Sequence, residues 1–138
     1  MSVALQTERA LLDTCVFSFI HKGDTRSKPY LTYLTSKFGC LSFITVGELY
    51  AWSKIRRWGK GQIEVLENAL RAYVVLPYDK DLAVAFGSIR AESHQKGRAM
   101  SNNDAWVAAC ALRFGCTLLT NNRRHYEHLN GITIVSLP

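Results

Sequence analysis

The sequence predicts an α/β fold with a mainly parallel central sheet of about five strands, flanked by helices. Five short apolar runs, each rich in β-forming residues and bounded by turn residues, are typical of buried strands. These runs are residues 10–12, 40–44, 73–76, 116–119 and 132–135. Longer segments with helical periodicity separate them, and strands that alternate with helices indicate a parallel sheet covered on both faces.

Three helices are predicted from apolar side chains that recur at helical spacing. Residues 79–96 and 103–114 are each followed by a glycine, Gly97 or Gly115, which is a common stop signal. A third helix is predicted over residues 45–57, where a threonine at the start can cap the first turn.

Length and composition indicate one globular domain over residues 1–138. The chain has 138 residues, of which 48% are hydrophobic and 20% charged, as in an ordinary folded protein. Its 17 basic and 11 acidic side chains give a formal charge of +6. This balance favours a polyanionic partner, although many basic proteins bind none.

The cysteines and the apolar runs exclude several classes. The four cysteines have no C-x-x-C spacing and lie beside apolar residues, which argues against zinc and for reduced thiols. Residues 1–13 lack the unbroken apolar run of a signal peptide, and no stretch approaches the roughly 20 residues of a membrane span. We therefore expect a cytoplasmic protein without a membrane partner.

Three acidic residues fall where a parallel sheet places its ligand site. Asp13 follows the first predicted strand, Glu48 lies near the start of the helix after the second, and Asp104 begins the helix over residues 103–114. Because ligands bind at the carboxyl ends of such strands, we expect the three carboxylates at one rim.

Each of these acidic residues also has a purely structural explanation. Asp13 is a favoured N-cap, Glu48 can complete a capping box with Thr45, and Asp104 can complement a helix dipole. One such residue alone decides nothing, whereas three at the same rim are less easily explained by capping.

Clustered carboxylates indicate a divalent cation. Two unit charges about 4 Å apart repel by roughly 4 kcal/mol near a protein surface, and a bound cation removes that penalty. Oxygen ligands without a cysteine or histidine cluster point to Mg²⁺, with Mn²⁺ as a substitute. A carboxylate-held metal is suited to phosphodiester hydrolysis.

Four segments in this order resemble the motifs of PIN-domain ribonucleases, specifically VapC-type toxins. They read Leu-Leu-Asp-Thr at 11–14, Ile-Thr-Val-Gly-Glu-Leu at 44–49, Asn-Asp-Ala-Trp-Val-Ala-Ala at 103–109 and Leu-Thr-Asn-Asn at 119–122. The resemblance implies a PIN-like domain, a Mg²⁺-dependent endoribonuclease, and a homodimer inhibited by a cognate antitoxin. The family's leading metal ligands carry over onto Asp13, Glu48 and Asp104.

The sequence departs from that pattern at the fourth acidic position. Many relatives have a carboxylate where this chain has Asn122 or His125. Whether one or two metals bind is therefore left open, although the Asn122 amide oxygen can reach a metal-bound water. Thr120 either orients such a water or satisfies its own strand end.

Basic residues supply candidate RNA contacts. Arg123 and Arg124 follow a strand end beside the proposed site and are candidate phosphate ligands. A second basic cluster comprises Lys54, Arg56, Arg57 and Lys60, with Trp52 and Trp58 among them. That cluster is either an RNA surface with stacking platforms or a solvated helix end with inward tryptophans.

Two other functions compete with a ribonuclease. An aspartyl-phosphate phosphatase with Asp13 as nucleophile needs a second aspartate two residues later, where this chain has Cys15. The other alternative is a non-catalytic PIN-like module that binds RNA or a protein, which the absent fourth carboxylate favours. RNA cleavage as a function of added metal discriminates between that module and an enzyme.

Overall fold

A computed structural model describes residues 8–137 and confirms the α/β fold. Its five strands form one entirely parallel sheet in the order β3-β2-β1-β4-β5. The strands are β1 (Arg9–Leu12), β2 (Phe38–Leu41), β3 (Val74–Val75), β4 (Thr117–Leu119) and β5 (Ile134–Val135). Residues 1–7 and 138 lie outside the described residues. The prediction of one domain over residues 1–138 includes them, and about half of the segment considered for a signal peptide, residues 1–13, falls among them.

Within residues 8–137, six helices connect and cover the strands. They are α1 (Thr14–Lys22), α2 (Ser27–Leu34), α3 (Phe43–Ile55), α4 (Lys60–Leu70), α5 (Lys80–Gln95) and α6 (Asn102–Phe114). The helices α3, α5 and α6 correspond to predicted ones, and Gly97 and Gly115 adopt the left-handed conformation just beyond α5 and α6. The helices α1, α2 and α4 were not predicted; α4, for example, fully buries only Leu66 and so shows no broad apolar stripe.

The predicted start of α3 was wrong. The second strand ends at Leu41 instead of residue 44, and α3 begins at Phe43, because the hydroxyl of Ser42 caps the helix by accepting from the Thr45 N–H at 3.1 Å. Thr45 is therefore not the cap, and the capping box that it was to form with Glu48 does not exist. Glu48 lies in the second turn of α3.

The core has two layers, one on each face of the sheet. Alternate residues of β1 point to opposite faces, so Leu11 packs with the buried side chains of α5 and α6, while Ala10 and Leu12 pack with those of α1, α3 and α4. The sheet is thus covered on both sides, as the apolar character of its central strands predicts.

The order of the strands fixes where a ligand site lies. From the central strand β1 the chain builds β2 and β3 on one side and later β4 and β5 on the other. The strand order therefore reverses between β1 and β4, and in open α/β sheets the binding crevice lies at the carboxyl ends of the strands at such a point. Asp13 and Thr120 are the first residues after these two strands.

The described part of the chain bears on two further expectations. The four cysteines are free thiols, three of them buried and Cys15 half-buried, as predicted. Within residues 8–137 no helix has both the length and the apolar character needed to cross a membrane.

Candidate functional site

Asp13 is held rigidly at the reversal point of the sheet. Its side chain is 8% exposed and caps α1, because Oδ1 accepts from the Cys15 backbone N–H at 3.0 Å. Its Oδ2 accepts from the buried hydroxyl of Thr120 at 2.7 Å, across the gap between β1 and β4. The N-cap role considered for Asp13 is therefore real, and the carboxylate makes additional bonds that capping does not require.

Tyr126 joins the Asp13 and Asp104 carboxylates. Its fully buried side chain places the hydroxyl 3.1 Å from Asp104 Oδ1 and 3.4 Å from Asp13 Oδ2. Burial, and then the negative charges of the two aspartates, raise the pKa of the Tyr126 hydroxyl, so it stays protonated at neutral pH and donates. The other oxygen of Asp104 lies 2.9 Å from His125 Nδ1.

Asp104 lies in the first turn of α6. The helix is capped by Ser101, whose hydroxyl accepts from the Asp104 backbone N–H at 3.1 Å. The carboxylate thus lies near the positive end of the helix dipole, as the structural alternative proposed, but both of its oxygens are also engaged by Tyr126 and His125.

Glu48 forms hydrogen bonds with two residues that adjoin Asp13 and Asp104 in the sequence. Its Oε1 accepts from the Thr14 hydroxyl at 2.7 Å, and its Oε2 accepts from the Asn103 amide at 3.2 Å. Thr14 follows Asp13 and Asn103 precedes Asp104, so the three acidic residues lie at one rim. Glu48 is half-buried at this position.

A chain of hydroxyls orients the Thr14 donor. Ser42 donates to Thr45 at 3.2 Å, and the Thr45 and Thr14 hydroxyl oxygens lie 2.9 Å apart. Since Thr14 gives its proton to Glu48, Thr45 must donate to Thr14, so the donors all run toward the carboxylate. The Ser42 hydroxyl that caps α3 is therefore also the first donor in the chain of hydrogen bonds that ends at Glu48.

The donor set suits a hard cation, but the side chains are not gathered around one. All three candidate ligands offer carboxylate oxygens, which Mg²⁺ and Mn²⁺ prefer. Among the His, Cys, Asp and Glu side chains of residues 8–137, no group of three is placed so that it could hold a metal ion. Coordination by all three therefore requires side-chain rearrangement from this placement, and the metal site stays a prediction.

Cys15 occupies the position where an aspartyl-phosphate phosphatase would need its second aspartate. Burial, followed by the adjacent Asp13 charge, raises the pKa of its thiol to about 12. The thiol is therefore protonated at neutral pH and offers neither a nucleophile nor a thiolate ligand beside the carboxylates.

The residues considered for supporting roles divide between two kinds of contact. Thr120 is fully buried and contacts Asp13 directly, while its oxygen accepts from the Asn122 backbone N–H at 3.0 Å. The Asn122 side chain is exposed and makes no hydrogen bond with any residue in 8–137. Of the two candidates for the fourth position, His125 is thus the one in contact with Asp104.

The basic candidates also differ in their surroundings. Arg124 lines an open cleft that reaches Asp104 and His125, whereas Arg123 donates to the Ile134 carbonyl at 3.2 Å on the neighbouring strand. In the other cluster, Trp52 lies under the Arg56 guanidinium and Trp58 stacks on His21. Both tryptophans are half-buried against their own chain, which favours the structural explanation of that cluster.

Sequence reasoning missed four residues that build this rim. Ser42, Thr14 and Asn103 are short polar side chains next to strand ends or acidic residues, and that adjacency was the available signal. Tyr126 gave no signal, because it follows the 3₁₀ helix Arg123–His125 in an irregular segment without periodicity.

These features define a class of protein: a doubly wound α/β domain with a carboxylate site at its strand-order reversal. The sequence model of the PIN domain matches residues 10–130. The ribonuclease VapC2 of Haemophilus influenzae is 32% identical over 121 residues, covering 86% of this chain and 90% of that protein. The chain belongs to the PIN domain family.

Two further comparisons agree with this membership. The tRNA(fMet)-specific endonuclease VapC of Salmonella typhimurium is 31% identical over 122 residues, covering 88% of this chain and 91% of its own length. The crystal structure of DNA-bound VapBC from Salmonella typhimurium superposes with a TM-score of 0.81 at 30% identity, covering 94% of this chain and 98% of the other.

Proposed function

We propose that this protein is a Mg²⁺-dependent endoribonuclease and the toxin of a toxin–antitoxin pair. The curated relatives are named ribonuclease or endonuclease, so hydrolysis of nucleic acid is the activity that the family supports. The observation that carries the proposal is the Tyr126 hydroxyl between Asp13 and Asp104, which brings two acidic ligands to the reversal point of the sheet.

Each acidic residue has a definable task in that reaction. Asp13, fixed by the α1 N-terminus and by Thr120, is the most rigid candidate ligand, and Asp104 is the second. Glu48, aligned by Thr14 and Asn103, completes the set from α3. When bound, Mg²⁺ supplies a water of lowered pKa and compensates the charge that develops on the phosphate oxygens.

The proposed partners are those that the sequence motifs led us to expect. The substrate is RNA, the inhibitor is a cognate antitoxin protein, and the active form is a homodimer in the cytoplasm. The structural neighbour from Salmonella typhimurium is a VapBC assembly bound to DNA, which supports an antitoxin partner for this chain as well.

Removing and restoring metal tests the proposed reaction. We expect RNA cleavage to cease in EDTA, to return with Mg²⁺ or Mn²⁺, and to return poorly with Ca²⁺, because the larger ion relaxes the octahedral geometry. The measurement is gel analysis of a labelled RNA after metal add-back. Full cleavage in excess EDTA contradicts the mechanism, and RNA binding without cleavage under every metal favours the non-catalytic module instead.

Asn122→Asp changes the position where the sequence departs from the family pattern, and it tests how many negative charges the site needs to bind metal. The free protein should bind one Mg²⁺ per subunit weakly, and Asn122→Asp should tighten that binding without destroying cleavage, because it adds a fourth negative charge at the rim. Isothermal titration of both proteins with Mg²⁺ measures this. Unchanged affinity places Asn122 outside the metal site; the fourth position is then either His125, which contacts Asp104, or absent.

A further inference from the structure

A cleft lined by arginines extends from the carboxylate rim. The cleft has a volume of about 660 Å³, and its lining includes Asp104, His125, Arg98 and Arg124. A second cleft of about 330 Å³ adjoins it, sharing Arg98 and adding Arg90. Asp104, His125 and the three arginines therefore line two adjoining clefts between the end of α5 and the 3₁₀ helix.

Two of the three arginines are held by backbone carbonyls of the chain, and none of the three is neutralised by a carboxylate of residues 8–137. Arg98 donates to the Arg124 carbonyl at 3.0 Å and Arg90 donates to the Met100 carbonyl at 2.5 Å, so each is tethered through one of its five N–H donors. None of the three forms an ion pair with a carboxylate of residues 8–137, although Arg26 and Arg113 elsewhere do. All three are exposed, so their remaining donors face solvent.

RNA binding beside the acidic rim requires positive charge nearby. A phosphodiester that approaches three carboxylates is repelled by their like charge. Cations placed farther along the same cleft attract the flanking phosphates and offset that repulsion. Arginine suits this task because its planar fork binds phosphate oxygens in pairs.

We propose that Arg90, Arg98 and Arg124 form a phosphate-binding track that positions the RNA substrate for cleavage at the carboxylate rim. The proposal rests on the proposed ribonuclease function and adds where the substrate runs. RNA is favoured over an acidic protein segment because the track is continuous with Asp104 and His125. It also assigns an RNA-binding role to Arg98 and Arg90, neither of which the sequence analysis had considered.

The test measures RNA binding separately from cleavage. An Asp13→Asn background removes cleavage, and fluorescence anisotropy with labelled single-stranded RNA of mixed sequence gives Kd over a salt series. Each lost phosphate contact lowers the salt slope by about 0.7, which corresponds to about fivefold in affinity at 0.1 M salt. The triple variant Arg90→Ala, Arg98→Ala, Arg124→Ala should therefore lose about 100-fold in affinity and about two from the slope.

Two matched variants control for net charge and for folding. Lys54→Ala, Arg56→Ala, Lys60→Ala removes the same charge from the other basic cluster and should change the affinity less than threefold. Arg98→Lys keeps the charge while losing the fork, and should retain the salt slope. Thermal melting by circular dichroism verifies that each variant is folded.

The outcomes separate this proposal from the proposed function. If both triple variants lose the same RNA affinity, net charge alone explains the loss. If the control variant loses more affinity, RNA binds to the 54–60 cluster. Either result overturns the track. Unchanged RNA binding in the track variant, with wild-type cleavage intact, overturns the track alone and leaves the cleft to an acidic protein segment. A wild type that neither cleaves nor binds RNA overturns both.

Discussion

Asp13→Asn, Glu48→Gln and Asp104→Asn are each expected to lower the rate of RNA cleavage at least about 100-fold. Substitution of residues that merely orient metal ligands typically costs 10–100-fold, and loss of a ligand should cost no less. Single-turnover cleavage of a labelled RNA at saturating Mg²⁺ measures the effect. Wild-type rates in any of the three variants contradict the assignment of that residue.

The same three variants are expected to stay folded, with unchanged or higher stability in the absence of metal. Asparagine caps helices as well as aspartate does, so Asp13→Asn keeps the bond from the Cys15 N–H to Oδ1. Its NH2 group takes the place of Oδ2, where the Thr120 hydroxyl can rotate to accept and the Tyr126 hydroxyl keeps Asp104 as its acceptor. Each substitution also removes a charge that repels the other two carboxylates. Urea unfolding in EDTA checks this, and a loss of folding in all three variants points instead to capping or core roles.

Asp13→Ala provides a control that separates the cap from the charge. It removes both, so its stability in EDTA should fall about 1 kcal/mol below that of Asp13→Asn, which is the usual cost of losing an N-cap. Equal stability of the two variants shows that the bond to the Cys15 N–H contributes little.

The fold was predictable because its signals are local. Short apolar runs at β1, β4 and β5 and glycines after α5 and α6 are visible in the sequence, and the alternation of strands and helices determines the class. The boundary between β2 and α3 was not predictable from composition, because Phe43 and Ile44 are β-forming residues that nevertheless lie within a helix. The Ser42 cap overrides their preference.

The sequence indicated the acidic members of the rim and the supporting Thr120, but not the remaining residues around them. Position after a strand end identified Asp13, and motif resemblance supported Glu48 and Asp104. Tyr126 reaches the aspartates from a segment 113 residues beyond Asp13, and such a contact depends on tertiary packing. Likewise, the arginine-lined cleft arises because α5 ends beside the 3₁₀ helix, a proximity that the sequence does not show.

Tyr126→Phe is expected to destabilise the protein by about 1–3 kcal/mol in EDTA, and by less in saturating Mg²⁺. The hydroxyl is fully buried and donates between two carboxylates, so its loss leaves charged acceptors with one donor fewer. A bound cation compensates the same charges, so the hydroxyl matters less when metal is present. By linkage, Mg²⁺ should bind the variant more tightly, about tenfold if 1.4 kcal/mol of the destabilisation disappears.

Tyr30→Phe is the matched control, because Tyr30 is equally buried but its hydroxyl donates to backbone carbonyls of Thr120 and Leu137 instead of carboxylates. Its substitution should lower the free energy of unfolding by the same amount in EDTA and in Mg²⁺. Urea unfolding of the wild type and both variants under the two conditions gives the comparison. If Tyr126→Phe also loses the same stability in both, its hydroxyl is an ordinary structural hydrogen bond and does not compensate the charge of the metal-free site.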